Sequence, residues 1–291
     1  MLLLINLSTW QRISRPPVTF AGMSLFIASL NSGSNGNCYY VGNDHEAVLI
    51  DAGLSCRETE RRMATLGLNL RKVKAIFISH EHTDHIKGLS VLSSRYALPV
   101  FITKATLQNS SVRVPGHRVV AFQDGISIQI GGLHVVPFRK YHDAADPHSF
   151  TVSGNGITVG VFTDLGRCCD NLKQYFSQCH AAFLEANYDT EMLENGRYPY
   201  FLKQRIRGGH GHLSNAEALQ LVLEHKAPFL KHVLLSHLSK DNNCPQLAQQ
   251  LFAAQCEGVS VTVASRFGPS EVICVSQQEA PAPVQQAALG F

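Results

Sequence analysis

Eight cysteines are scattered over 291 residues without one C-x-x-C pair or any regular framework. That argues against a thiolate zinc site and against a disulfide-stapled secreted domain, and leaves buried thiols in a reducing compartment as the expectation. No run approaches the roughly 18 apolar residues that span a bilayer. The opening MLLLINLSTW has no basic n-region and too short an apolar stretch for a secretory signal. A cytoplasmic protein with no membrane partner is expected. Charge is sparse as well: 16% of residues are Asp, Glu, Lys or Arg, and the formal net charge is +3. That is short of the basic signature of proteins that coat nucleic acid non-specifically, and it neither demands nor excludes a nucleic-acid substrate. What is present is a hydrophobic fraction of 45%, enough for a large core, and 14 histidines, several of them in tight clusters.

Patterning begins at Met23. Residues 1–22 read as an N-terminal extension without order, or Met23 as the true start; residues 277–291, rich in Ala, Pro and Gln, read as a disordered tail. Between them, SLFIASL, NCYYVG and AVLIDAG read as consecutive strands, SCRETERRMATLG as a helix with a glycine stop, and VKAIFISH as a buried strand. A helix through IKGLSVLSSRYA and a strand PVFIT make a second βα step. VVAF, ISIQI, LHVVPF and the pair SFTVS and ITVGVF, joined by Gly-Asn-Gly, predict antiparallel hairpins. A third βα series follows, from AAFLEANYD through HVLLSHLS to VSVTVA and EVICV. Two similar halves, each with strands first and helices after, predict an α/β protein: two facing sheets covered outside by helices, an αββα sandwich in one domain over residues 23–276.

The sharpest feature is HEHTDH at 80–85, directly after a hydrophobic strand. His80 and His82 alternate, so an extended backbone sends both imidazoles to one side, while Asp84 and His85 open the next helix. Four metal-capable side chains at one strand end are costly to bury without a partner, and a bound metal is the economical explanation.

HEHTDH matches the H-x-H-x-D-H signature of the metallo-β-lactamase superfamily, and further segments resemble that family's motifs in its order. Asp51 in VLIDAG resembles the acidic residue before the signature, His142 in KYHDA the third motif, Asp164 in VFTDLG the bridging carboxylate, and His237 in LLSHLS the last histidine. The resemblance implies the metallo-β-lactamase fold and two divalent metal ions. One would lie on His80, His82 and His142, the second on Asp84, His85 and His237, with Asp164 between them and Asp51 orienting a ligand histidine. Imidazole and carboxylate ligands suit Zn, Mn or Fe alike. In such centres a shared water loses a proton and becomes the nucleophile.

The substrate is the open question, because this fold serves lactams, thioesters and phosphodiesters. GHLSNAEALQLVL followed by HVLLSHLS resembles ribonuclease Z. That resemblance makes His212 a general acid paired with Glu185 of FLEANYD, acting beside Asp84. SLNSGSNGNCYYV with FTDLG, LEANYD and GHLSN resembles the YycJ/WalJ group of stand-alone bacterial exonucleases and phosphodiesterases. A metal-dependent phosphodiesterase, with DNA favoured as substrate, is therefore expected; a glyoxalase II-like thioester hydrolase or a lactam hydrolase is the alternative. The loop NSGSNGN at 31–37 reads either as a tight hairpin or as a phosphate cradle through Ser32, Ser34 and Gly36. The stretch RYPYFLKQRIRGG reads either as a solvated basic helix or as a nucleic-acid surface presenting Arg205 and Arg207.

Overall fold

A computed structural model describes residues 24–277. The extension expected over residues 1–22 lies outside them, as does the expected tail beyond Gln277.

The strands are β1 (Ser24–Asn31), β2 (Cys38–Gly42), β3 (Ala47–Ile50), β4 (Val73–Phe77), β5 (Val100–Phe101), β6 (Val119–Val120), β7 (Ile128–Ile130), β8 (Leu133–Arg139), β9 (His148–Gly154), β10 (Ile157–Phe162), β11 (Ala181–Glu185), β12 (His232–Ser236), β13 (Ser260–Val263) and β14 (Ile273–Ser276). They form two seven-stranded sheets, β14-β1-β2-β3-β4-β5-β6 and β13-β12-β11-β10-β9-β8-β7. Each sheet has three antiparallel pairings on one side and three parallel ones on the other, the change falling at β3 in the first and at β10 in the second.

Both faces of the central strands are covered, which is why they read as unbroken hydrophobic runs rather than as apolar–polar alternation. The period of two persists within those runs. Tyr39, Val41, Val48, Ile50 and Phe77 point between the sheets to meet Phe150, Val159, Phe183 and Leu234. Tyr40, Leu49 and Ile76 point outward to Met63, Leu89 and Leu92 of the helices Cys56–Thr65 and Leu89–Tyr96. On the other side Leu172, Phe176, Val222 and Phe252, from the helices Asp170–Phe176, Asn215–His225 and Pro245–Ala253, cover Leu184 and Leu235. The expected α/β sandwich is what forms.

Two details depart from expectation. The helix expected through IKGLSVLSSRYA is broken: one turn runs Thr83–Ile86 and a second helix starts at Leu89. Gly88 causes the break, because its N–H donates to Ala52 O at 2.8 Å and a Cβ there would lie 1.8 Å from Leu54 O. The strand expected at VVAF is only two residues long. The Gly-Asn-Gly hairpin does form, with Asn155 (φ 54) and Gly156 (φ 76) supplying the two left-handed residues that such a turn requires. No helix among the described residues is long and apolar enough to cross a membrane.

Candidate metal centre and active site

Side chains with chemistry gather at the carboxyl ends of the parallel strands, where open α/β sheets place their ligand crevices. Asp51 follows β3, His80 follows β4, Asp164 follows β10, Glu185 ends β11 and His237 follows β12. Three of these strand ends are bent sharply: Asp51 (φ 63), Asp164 (φ 54) and His237 (φ 57) are three of the five non-glycine residues with positive φ among the described residues. Such conformations cost about 1–3 kcal/mol each and persist only where the surroundings hold them. Here they turn three polar side chains off the ends of their strands toward one point. Gly53 lets the signature turn approach: its N–H donates to Asn37 O at 2.9 Å, and a Cβ would lie 1.7 Å from Asp84 O.

The ligating atoms of His80, His82 and His142 all lie within 4.8 Å of one another, and so do those of Asp84, His85 and His237. His80 Nε2 and His82 Nδ1 are 3.1 Å apart, close to the ~3.4 Å expected of two nitrogens on one tetrahedral zinc with bonds of ~2.1 Å. Asp164 stands between the groups, with Oδ1 3.7 Å from His142 Nε2 and Oδ2 3.3 Å from His85 Nε2. Asp51 accepts from the Ser79 amide and hydroxyl, each at 2.8 Å, and faces His85 Nδ1 at 2.7 Å. His85 is thus held with Nε2 inward, as a carboxylate behind a ligand histidine would hold it.

The donor set fits cations. His142 Nε2, His237 Nε2 and Asp164 Oδ2 are buried without a hydrogen-bond partner, whereas a buried polar atom ordinarily has one. Charge points the same way. Burial would push His237 down, but the carboxylates of Asp164, Asp84 and Glu185 around it outweigh that and raise it to about 10. His85 is likewise raised against its burial by Asp164, Asp51 and Asp84. His142, by contrast, is lowered to about 4, chiefly by burial, with Asp164 opposing. The pocket draws positive charge onto two of its imidazoles, a demand that divalent cations would meet.

Beside this cluster, Glu185 is fully buried and its Oε1 accepts from His212 Nδ1 at 2.8 Å and His237 Nδ1 at 3.0 Å. Its Oε2 accepts from the amides of Leu165 at 2.6 Å and Leu213 at 3.3 Å. His212 therefore presents Nε2 outward. It precedes the helix Asn215–His225, which is capped by a reciprocal Ser214–Glu217 box. His82, Asp84, Asp164, His212 and His237 line a cavity of about 280 Å³, with Ser34, Tyr198 and Arg205 on its rim.

The expected substrate contacts fare differently from one another. Ser34 and Arg205 reach this cavity, although Arg205 Nε already donates to Asp143 at 2.6 Å. Arg207 is paired with Glu194 and is absent from the cavity wall. Four of the backbone amides in the loop 31–37 are already committed within the protein. The amides of Ser32, Gly33, Gly36 and Asn37 donate to Ser265 O, Asn37 Oδ1, Gly33 O and Asp84 O, and the Gly36 carbonyl accepts from Asn31. The loop instead braces the cluster: the Ser32 hydroxyl accepts the His237 amide at 2.7 Å, and Asn37 Nδ2 donates to Asp84 Oδ2 at 3.1 Å. Sequence reasoning passed over Asn37, Asn187, whose Nδ2 donates to His237 O at 2.7 Å, and Lys140, buried with Nζ donating to Thr163 O at 2.6 Å. The polar residues of NSGSNGN were the one available signal for Asn37.

A family model described as "Beta-lactamase superfamily domain" matches residues 46–238, a span that holds every strand end named above. The chain belongs to the β-lactamase superfamily. Within it, the chain is 36% identical over 248 residues to the exodeoxyribonuclease YycJ of Bacillus anthracis, a match that covers 84% of this chain and 94% of that one. It is 30% identical to the exodeoxyribonuclease WalJ of Streptococcus pneumoniae over 82% of this chain and 90% of the relative. The metallo-β-lactamase fold protein YhfI of Bacillus subtilis superposes with a TM-score of 0.69 at 16% identity, over 87% of this chain and all of that one, which places the sandwich in the superfamily's fold.

Proposed function

We propose that this superfamily member is a cytoplasmic, two-cation phosphodiesterase that removes nucleotides from DNA, its catalytic unit spanning residues 23–276. The observation that carries the reading is the His212–Glu185 pair at 2.8 Å, set against a cluster of seven ligand-capable side chains. The two YycJ/WalJ relatives bear the name exodeoxyribonuclease, which supports DNA as the substrate.

His80, His82 and His142 would hold one divalent cation and Asp84, His85 and His237 the second, with Asp164 standing between the two groups. Bound there, Zn, Mn or Fe ions would supply Lewis acidity and a hydrolytic water of lowered pKa. The chain's own groups do the rest. Asp51 fixes His85, the Gly211 carbonyl facing His142 Nδ1 at 3.0 Å fixes His142, and Glu185 fixes His237, so that each imidazole turns Nε2 inward. Glu185 also holds the proton on His212 Nδ1. Cleavage of a phosphodiester leaves an alkoxide, and His212 Nε2, at the cavity wall, is the group placed to protonate it, a contribution of about 10²–10⁴ in rate. Ser34 and Arg205 lie on the rim where flanking phosphates would pass.

The test is hydrolysis of bis(p-nitrophenyl) phosphate and of end-labelled DNA by purified protein with Mn²⁺ or Zn²⁺. Both activities are expected, and both should vanish in His82→Ala. Activity surviving that change, or turnover of lactoylglutathione or nitrocefin far above that of phosphodiesters, would overturn the reading.

A further inference from the structure

A second cavity, of about 270 Å³, adjoins the first and shares Leu238 and Ser239 with it as a common wall. From the loop 31–37, Ser34 lines the candidate centre and Ser32 the neighbouring space. Two cations, Lys240 and Arg266, and an aromatic ring, Phe267, line it, and no carboxylate does. Neither cation makes an ion pair among the described residues, and Arg266 Nη1 is buried without any acceptor. A buried guanidinium N–H ordinarily has an acceptor, and the oxygen of an incoming anion would supply one. Arg266 is nonetheless held in place: its Nη2 donates to Ser34 Oγ at 3.3 Å, and its carbonyl accepts from Asn35 at 2.7 Å.

Phe267 is 80% exposed, yet its backbone is pinned, the amide donating to Ser265 Oγ at 3.0 Å and the carbonyl accepting from Arg62 at 3.4 Å. A rigid backbone presenting a bare ring beside two unpaired cations has the composition of a nucleotide subsite: a π-face for the base and fixed positive charge for the phosphate.

We propose that this cavity binds the nucleotide flanking the scissile bond, the base stacking on Phe267 and its phosphate lying between Lys240 and Arg266. The proposal rests on the nuclease reading and adds to it the site that tells a nucleic acid from a small phosphodiester. The scissile phosphate and its flanking nucleotide would straddle the Leu238–Ser239 wall.

The experiment pairs two measurements on wild type, Phe267→Ala, Phe267→Trp and Lys240→Ala. Affinity for a short fluorescent single-stranded DNA is measured in EDTA, and turnover of bis(p-nitrophenyl) phosphate with Mn²⁺. Loss of the stacking ring should weaken DNA binding about 5- to 20-fold. Lys240→Ala should weaken it less and flatten its dependence on log salt by about 0.7. Phe267→Trp should keep wild-type affinity and show indole quenching on titration. Turnover of the small ester should stay within twofold throughout. DNA affinity unchanged in both alanine variants would overturn the subsite while leaving the nuclease reading intact. Equal losses on DNA and on the small ester would also overturn it, by showing that these residues act through the metal centre. Wild type that cleaves neither substrate would bring down the nuclease reading itself, and the subsite with it.

Discussion

Replacing Glu185 with Gln changes one atom and no volume, and its effect follows from the bonds it breaks. The carboxylate accepts four hydrogen bonds in a fully buried position, two on each oxygen. An amide has one accepting oxygen. If it faces the histidines, its NH₂ confronts the amide donors of Leu165 and Leu213; if it faces those amides, its NH₂ confronts His212 Nδ1 and His237 Nδ1. The second arrangement forces both imidazoles into the tautomer protonated at Nε2, which removes the lone pair that His237 would offer a cation. In the first arrangement two buried amide donors lose their acceptor, at about 1–3 kcal/mol each; in the second the cost falls on the two histidines, which must give up their Nδ1 protons. A loss near 3 kcal/mol in the metal-free protein is expected, read by urea denaturation followed by far-ultraviolet circular dichroism. Phosphodiester turnover should fall about 10²–10³-fold, from misplacement of the proton on His212. A variant within about 0.5 kcal/mol of wild type and within threefold of its turnover, a scatter typical of surface changes, would refute the hub role of Glu185.

Asp51→Asn should lower cation affinity about 10–100-fold, as loss of a carboxylate behind a ligand histidine does, measured by chelator competition. Gly53→Ala should destabilise by more than about 2 kcal/mol and displace Asp84, because the added carbon would lie 1.7 Å from a carbonyl oxygen; a melting curve unchanged from wild type would contradict this. Ser214→Ala should cost about 1 kcal/mol through loss of its half of the capping box, with a smaller effect on turnover than Glu185→Gln. In EDTA-treated protein His237, raised to about 10, stabilises fully below about pH 6.5, and that contribution is lost as pH rises toward 10. Chemical denaturation across that range checks it, and cation loading at neutral pH should release protons, which calorimetry in buffers of different ionisation heat will detect.

The signature HEHTDH was legible because its chemistry is local: a strand, a turn and a helix start, close in sequence, set four ligand-capable side chains side by side. The sandwich was legible for a related reason, since two-sided burial turns each central strand into an apolar run bounded by glycine and polar residues. The helix break at Gly88 was not, because it depends on a carbonyl of Leu54, thirty-four positions away in the chain. Loop 31–37 was half legible. Its small polar residues marked it as special, but whether its amides face outward or donate to Ser265, Gly33 and Asp84 is decided by neighbours that composition does not reveal. Arg205 and Arg207 sit two residues apart on one exposed helix, yet only Arg205 faces the cavity. The cavity beside Arg266 needed two segments more than two hundred residues apart to meet.

His80, His82, Asp84, His85, His142, Asp164 and His237 are expected to surround a pair of cations. Metal content by mass spectrometry on protein reconstituted with Mn²⁺ or Zn²⁺, joined to anomalous scattering from its crystals, addresses it most directly. Two ions per chain about 3.5–4 Å apart, one nearer His82 and one nearer His237, are the expected result. A chain that hydrolyses phosphodiesters while holding no ion at these residues would contradict it.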